Sequence, residues 1–203
     1  MGDIVLAGST SGTTTLTPTA VSGTTTLTLP ATTDTLVGKT TTDTLTNKTL
    51  GAGTVLPAGS IIQVTQTAAN TFTYAGTTNT YTEISSSLRA SITPSSASNK
   101  IIYSISGGRL SYTSAPCSYS IEIRRSTNGG STFPTTCHKF ADGLYMPTDS
   151  FGFSISSQFM DEPATTSSCM YSLFVSVTTG TSNIEAGSSA GDKTKIILME
   201  VKG

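Results

Sequence analysis

The chain of 203 residues has no tryptophan, one histidine and little charge. Lys, Arg, Asp and Glu together make up 11% of the chain, against roughly 25% in a typical soluble domain. The formal net charge is −1. This balance predicts neither a basic face for nucleic acid nor a polybasic segment for a membrane surface. The nearest approach to a basic patch is Arg124–Arg125, and two arginines on one strand are usually a solvated edge.

Long apolar runs are also missing. No stretch approaches the roughly 18–20 apolar residues of a membrane-spanning helix, so we predict no membrane insertion. The N-terminus, MGDIVLAGST, has an acidic residue where a secretory signal is basic, and its apolar run is short. We therefore predict synthesis in a cytoplasm without a signal peptide.

Sequence motifs of catalysis and metal binding are missing as well. The cysteines Cys117, Cys137 and Cys169 form no C-x-x-C pair, and their odd number predicts free thiols. The chain contains no G-x-S-x-G, no H-E-x-x-H and no phosphate-binding glycine loop. We predict a protein that is not an enzyme and that has no catalytic residue, metal or cofactor.

Three weaker groupings of residues also give no support to catalysis or metal binding. Cys137 and His138 are adjacent in the sequence, and on a strand adjacent side chains point to opposite faces and cannot form a nucleophile–base pair. His138 and Asp142 would supply a metal site only if three subunits brought them to a threefold axis. Asp161–Glu162 indicates a solvated turn rather than an acid/base pair.

What the chain has in excess is threonine and serine, which together make up about a third of it. "SGTTTLT" starts at Ser11 and again at Ser22, and "DTLVGKT" from Asp34 is matched by "DTLTNKT" from Asp43. Thr is β-branched and favours strands, so each repeat predicts a short strand followed by a turn. We assign this Thr-rich repeat segment to residues 1–55.

One leucine per repeat buries too little surface in a single chain to offset the entropy lost on ordering. Three chains wound about one axis would stack the leucines and pair the open strand edges. We therefore predict an interwoven, trimeric β shaft with a core of Leu16, Leu27, Leu29, Leu36, Leu45 and Leu50. The alternative is a disordered, mucin-like tail, which would carry more proline and no strict alternation.

Residues 56–203 contain every Phe and Tyr of the chain, and their apolar residues alternate with period two. The pattern predicts an all-β head, an antiparallel, jelly-roll-like β-sandwich. The predicted strands are 60–66, 81–84, 87–93, 100–106, 118–125, 151–159, 169–177 and 195–201. Its expected core includes Phe151, Phe153, Ile155, Phe159, Tyr171, Leu173, Val175 and Val177. The last strand is apolar on both faces, so it is either central in a sheet or buried against another subunit.

Several phrases resemble the virion fibre proteins of tailed bacteriophages, particularly phages of aquatic bacteria. They are "TLTLPATTDTLV" and "TLTNKTL" in the Thr-rich part, and "LPAGSIIQV" followed by "SITPSS" and "NKI" in the head. The resemblance covers about residues 8–106. It implies a homotrimer made in the bacterial host, located on the virion, held by another virion protein through the N-terminus, and presenting its C-terminal head. The chain is short for a fibre, so a short tail fibre, a capsid fibre and a decoration protein all remain open.

Loops at the end of a sandwich commonly carry recognition. Two loops qualify here, "RRSTNGGSTFP" and "ADGLYMPTDS", and their candidate receptor-binding residues are Arg124, Arg125, Asn128, Phe133, Asp142, Tyr145 and Asp149. A sugar would need an exposed aromatic platform, which Tyr112, Tyr119 or Tyr145 must supply in the absence of tryptophan. The alternative is that these are ordinary hairpin loops that bind nothing.

The functional hypothesis is a non-enzymatic virion fibre whose head adheres to a polysaccharide or protein of the host surface. Three identical weak sites would give firm attachment through multivalency. The first alternative is a capsid-bound fibre or cement protein with a purely structural role. More distant alternatives are a hydrolase of surface polysaccharide and a bacterial adhesin, the latter disfavoured by the missing export signal.

Overall fold

The computed structural model describes residues 3–17, 54–69, 73–76, 79–146, 153–185 and 194–203, with a few shorter stretches between 19 and 49. The chain divides into two units, Met1–Ala52 and Gly53–Gly203, which are described separately. The described residues form β-strands and one 3₁₀ turn, Ser86–Leu88, so the protein is all-β. Within these ranges no helix is long and apolar enough to cross a membrane.

The first unit contains an antiparallel hairpin of β1 (Ile4–Ala7) and β2 (Thr13–Leu16), in which Ile4 pairs with Leu16. Gly12 adopts a φ of 80°, and its carbonyl accepts a hydrogen bond of 2.9 Å from the Gly8 amide. The strand predicted at the first "TTTLT" is confirmed, whereas β1 was not predicted. Leu27, Leu29, Leu36, Leu45 and Leu50 lie outside the described residues, and the trimeric shaft stays a prediction.

Within its described residues, the second unit contains nine strands, and their pairings are all antiparallel. They are β3 (Ile61–Ala69), β4 (Thr73–Gly76), β5 (Thr82–Glu83), β6 (Ala90–Ile92), β7 (Lys100–Ser126), β8 (Thr135–Met146), β9 (Phe153–Asp161), β10 (Cys169–Glu185) and β11 (Thr194–Val201). The prediction of an antiparallel all-β head is confirmed.

Strand β7 belongs to both layers of this unit. Its first part pairs with β11 and β9, which gives the order β3–β11–β7–β9, here called the β3–β9 sheet. Its second part pairs with β8 and β10, and β10 also carries β4, β5 and β6; this layer is called the β8–β10 sheet. Gly107 and Gly108 lie between the two parts with φ of 86° and 77°, which residues with a Cβ rarely adopt.

The core lies between the two sheets and is made by alternate residues of their strands. Tyr103 of the β3–β9 sheet meets Tyr171 of the β8–β10 sheet with ring centroids 5.9 Å apart. The other fully buried side chains include Ile101, Ile105, Tyr119, Ile121, Ile123, Ile155, Leu173, Val175, Ile196 and Leu198. The core positions predicted on β10 and at Ile155 are confirmed. Phe159 is half-buried against the core, and the side chains of Phe151 and Phe153 lie outside the description.

Strand β11 lies between β3 and β7, so the central position is confirmed; Ile196 and Leu198 face the core, whereas Ile197 and Met199 are half-buried on the other face. Three sequence predictions were wrong in detail. The predicted strand 87–93 is strand only over Ala90–Ile92, because Ser86–Leu88 form the 3₁₀ turn. Residues 100–106 and 118–125 are parts of one strand of 27 residues, because the glycine-containing stretch between them is also paired. The predicted turn at 141–149 is strand up to Met146, because register shifts in β8 interrupt the alternation from which strands are predicted.

Candidate functional site

The candidate site is the outer face of the β8–β10 sheet. The strand register aligns Glu83 with Phe174, Phe174 with Glu122, and Glu122 with Lys139, across β5, β10, β7 and β8. Strand side chains alternate between faces, and Ile121 and Ile123 on either side of Glu122 are in the core. This row of four residues therefore lies on the face turned away from the core.

Cations and aromatic rings form a continuous series of contacts along this face. The Arg124 guanidinium carbon lies 5.0 Å from the ring centroid of Tyr81 and 4.9 Å from that of Phe174. On one side of Arg124, Lys139 Nζ lies 5.7 Å from the ring centroid of Tyr81. On the other side, the ring centroids of Phe174 and Phe133 are 5.3 Å apart. The series of contacts ends at Arg89, whose guanidinium carbon lies 5.1 Å from the ring centroid of Phe133. We call this set the cation–ring ladder; its members are Lys139, Tyr81, Arg124, Phe174, Phe133 and Arg89.

Each cation of the ladder also has a carboxylate partner. Arg89 donates from Nε and Nη2 to the two oxygens of Glu83 at 2.7 Å each, and Ser172 Oγ donates to Glu83 at 2.6 Å. The hydrogen bond from Arg89 is the main reason that the pKa of Glu83 lies below its usual value of 4.5, against the opposing effect of burial. The Glu83–Arg89 pair thus holds β5 against the segment that follows the 3₁₀ turn.

The other two pairs lie on β7 and β8. Arg124 donates from Nε to Glu122, which is only 3% exposed and also accepts from Thr136 Oγ1 at 3.3 Å. Asp142 accepts from Lys139 Nζ at 3.4 Å and from Ser120 Oγ at 3.1 Å. Three cations and three carboxylates therefore compensate one another, and this face has no uncompensated charge within the described residues.

Four of the seven predicted receptor residues come together on this face. Arg124 and Phe133 are members of the ladder, and Asp142 is bound to Lys139 beside it. Tyr145 pairs in register with Ser118, on the same side of the sheet, and is 60% exposed. Asp142 and Tyr145 were expected in a loop, but they lie on β8 because that strand extends to Met146.

The other three predicted residues are placed elsewhere. Arg125 points to the core side, where it forms an ion pair with Asp161; both side chains are 12% exposed. Asn128 closes its own turn, accepting from Thr132 N at 3.1 Å and donating to Thr132 Oγ1 at 2.8 Å. Asp149 lies outside the described residues.

The structure also places Asp161, two of the candidate sugar platforms and His138. Asp161 is not in a solvated turn, because it is the partner of Arg125 and accepts a 2.7 Å hydrogen bond from Tyr171 Oη. Tyr119 is 1% exposed and cannot serve as a sugar platform, and the side chain of Tyr112 lies outside the description. His138 stacks on Phe159 with ring centroids 5.0 Å apart.

Cys117, Cys137 and Cys169 are free, and burial raises the pKa of each, in the case of Cys137 to about 12. A thiol with a raised pKa is a poor nucleophile at neutral pH. In the described part of the chain, no three His, Cys, Asp or Glu side chains lie close enough to hold a metal ion.

Sequence reasoning missed Tyr81, Arg89, Lys139 and Phe174. One signal was available, because Phe174 is an aromatic at an outward position of an otherwise regular strand. The contacts of Arg89 with Phe133 depend on how the chain returns to the sheet, which alternation does not encode. Arginine and aromatic residues are enriched in protein recognition surfaces, so the face suits non-covalent binding better than acid/base chemistry.

No protein-family model matches the chain, and no curated protein sequence matches it. Among solved structures, it is similar to the VP2 subviral particle of infectious bursal disease virus, with 13% identity and a TM-score of 0.42 over 70% of this chain and 38% of that chain. It is also similar to the structure of the infectious bursal disease virus Gx strain, with 13% identity and a TM-score of 0.43 over 78% of this chain and 42% of that chain. The chain thus spans less than half of the length of these chains, and a likeness of this degree carries no conclusion about its role.

Removing Arg124 should destabilise the head. Arg124→Ala leaves the buried Glu122 carboxylate without its cation, and we expect the free energy of unfolding to fall by about 3–5 kcal/mol. Arg124→Lys keeps the charge but loses the planar stacking between the rings, so we expect a loss of about 1–2 kcal/mol. Adding Glu122→Gln to Arg124→Ala should recover part of the loss. Urea unfolding gives the free energy of unfolding of the two single variants and of the double variant. Lys195→Ala, which removes an exposed cation, is the control. An Arg124→Ala protein as stable as the control would contradict the account.

Glu83 should contribute stability that depends on pH. Its pKa is lowered in the folded state, so the contribution is present above its usual pKa of 4.5 and is lost as pH falls through the lower folded value. The difference in unfolding free energy between wild type and Glu83→Gln should be largest near neutral pH and shrink on acidification. Glu162→Gln is the control, because the exposed Glu162 also has a lowered pKa beside Lys100 but is screened by water. A Glu83→Gln effect that is constant with pH would argue against this role.

Proposed function

We propose that the chain is a non-enzymatic fibre on the surface of a virus particle. In this proposal three copies associate through the Thr-rich N-terminal unit, another virion protein holds that unit, and the β-sandwich heads are presented to the host. The phrases "TLTLPATTDTLV" and "TLTNKTL", which resemble those of tailed-bacteriophage fibres, support this assignment.

The observation that carries the proposal is the exposed apolar hairpin of the first unit. Ile4, Val5, Leu6 and Leu16 are 61%, 59%, 54% and 47% exposed. A two-stranded hairpin is at best marginally stable alone in water, and these side chains gain little burial from each other. Association with further chains would bury them and pair the free strand edges. A hairpin of this kind is therefore expected in an assembling segment.

The outer face of the β8–β10 sheet is the proposed adhesion surface. The cations of its ladder are paired with carboxylates of the same face, so the surface is organised before a ligand binds, and pre-organisation lowers the free-energy cost of binding. Tyr145, 60% exposed, offers an apolar ring with a hydroxyl, and the exposed Asp142 of the same strand offers carboxylate oxygens to a ligand. An aromatic ring beside hydrogen-bonding groups suits a polysaccharide or a polar protein segment of the host surface.

The adhesion proposal predicts that Tyr145→Ala and Asp142→Ala each weaken binding to host cells. Each variant weakens three identical sites at once, so we expect the apparent affinity of labelled full-length protein for cells to fall roughly tenfold or more. Thr127→Ala, an exposed substitution in a turn, is the control, and circular dichroism checks that each variant is folded.

The same assay separates adhesion from the structural alternative. The protein is also offered to virus particles that lack it. Binding to such particles but not to cells would replace adhesion by the role of a capsid-bound fibre or cement protein. Equal cell binding by wild type and both variants would exclude this face as the adhesion surface.

A further inference from the structure

Residues 56–60 form a turn immediately before β3, and we call them the entry turn because the chain enters the head through them. Gly59 of this turn adopts a φ of 86°, which residues with a Cβ rarely adopt. Apolar burial does little to fix this part of the chain, because Val55 before the turn is 83% exposed and Ile61 after it is 53% exposed. The entry turn therefore depends on hydrogen bonds to other segments.

Those hydrogen bonds are made with the residues that follow β11. Lys202 N donates to the Ser60 carbonyl at 2.9 Å, and the Lys202 carbonyl accepts from Gly59 N at 2.8 Å. Lys202 Nζ donates to the Leu56 carbonyl, so a single residue holds both ends of the entry turn. A hydrogen bond from a charged donor is stronger than one between neutral groups. We call Lys202 and Gly203 the clasp.

The other side of the clasp is fixed to the interior of the head. Gly203 N donates to Asn99 Oδ1 at 3.1 Å, and a Cβ on Gly203 would lie 2.1 Å from the Ser98 carbonyl oxygen, so the two segments are in close contact. Asn99 is buried and donates from Nδ2 to Oε1 of the buried Glu200 at 2.6 Å. Ser95 donates to the same oxygen from N at 2.6 Å and from Oγ at 2.8 Å. Because Asn99 directly precedes β7, the clasp connects the entry turn to the strand that belongs to both sheets.

We propose that the clasp bears load and keeps the entry turn closed when the head is pulled away from the Thr-rich unit. This inference rests on the proposed function, in which the head adheres to a host surface while another virion protein holds the Thr-rich unit. Exposed segments at the end of a domain are usually the first to open, and such a pull reaches the head first at the entry turn. Without the clasp it would act on β3, an outer strand of its sheet. The clasp transfers it to β11 and β7, which are paired on both sides.

The first test measures whether the clasp holds the entry turn in the full-length protein. Lys202→Met keeps most of the side-chain stem but removes the Nζ donor, and we expect the backbone amide of Gly59 to exchange its hydrogen at least about tenfold faster. Lys202→Arg keeps a cationic donor and should exchange nearly as slowly as wild type. Lys195→Met is the matched control, because Lys195 is an exposed lysine of β11. Amides of the core should keep their exchange rates, which shows that the head stays folded. Equal exchange of the Gly59 amide in Lys202→Met and in the control would overturn the clasp.

The second test applies the load to one labelled copy of the full-length protein. Val55→Cys places a thiol immediately before the entry turn, and Thr127→Cys places another in the exposed turn between β7 and β8. The two thiols attach the handles of an optical trap. Cys117 and Cys169 are buried and Cys137 is half-buried, so the introduced thiols should react first.

In this doubly labelled protein, we expect Lys202→Met to shift the first rupture to a lower force, whereas Lys195→Met should leave the force unchanged. Equal forces for the two variants would overturn the load-bearing role. Neither measurement uses host cells or virus particles, so its failure is distinguishable from failure of the proposed function. A chain that gives both expected results but binds neither cells nor particles would overturn the proposed function alone.

Discussion

The head depends on one constraint, the membership of β7 in both sheets. The first part of this 27-residue strand pairs with β9 and β11, and the second part with β8 and β10. A single strand therefore positions both layers. Odd-numbered residues of both parts, such as Tyr103 and Ile121, enter the same core, so even-numbered residues such as Ile102 and Arg124 face outward on the two sides. Substitutions that disturb β7 are thus expected to affect both outer faces at once.

The outer faces of the two sheets present different side chains to solvent. On the β8–β10 sheet, Glu83, Glu122 and Asp142 are paired with Arg89, Arg124 and Lys139, and the aromatic rings are covered by the cations. On the outer face of the β3–β9 sheet, Val64 and Met160 are exposed, and the exposed Lys195 lies on the same face. The compensated face is the proposed adhesion surface.

Part of this arrangement could be predicted from the sequence. Period-two alternation identified β3, β10 and β11 and the core residues Tyr171 and Leu173, because a strand with one buried face leaves that pattern directly. It failed at β8, where irregular register breaks the period, and at the middle of β7, where glycines look like a turn. Local pattern is a poor guide wherever pairing partners on both sides hold an irregular segment in place.

The site was predicted only in part for a related reason. Arg124 and Arg125 were assigned together because they are adjacent, yet neighbours on a strand face opposite ways, and Arg125 is the core-side partner of Asp161. Asp142 and Tyr145 were chosen for their chemistry and are exposed, although on a strand rather than a loop. The contact of Arg89 with Phe133 joins distant parts of the chain, and no local feature of either segment predicts it.

The central claim is that the Thr-rich N-terminal unit assembles copies of the chain. The most direct test is the native mass of the full-length protein beside a truncation that starts at Leu56. The account predicts a full-length trimer that resists denaturant and a truncation in which the trimer is weakened or lost. A full-length protein that is monomeric at all accessible concentrations would contradict it, and the Thr-rich unit would then be a segment that orders only against another protein of the particle.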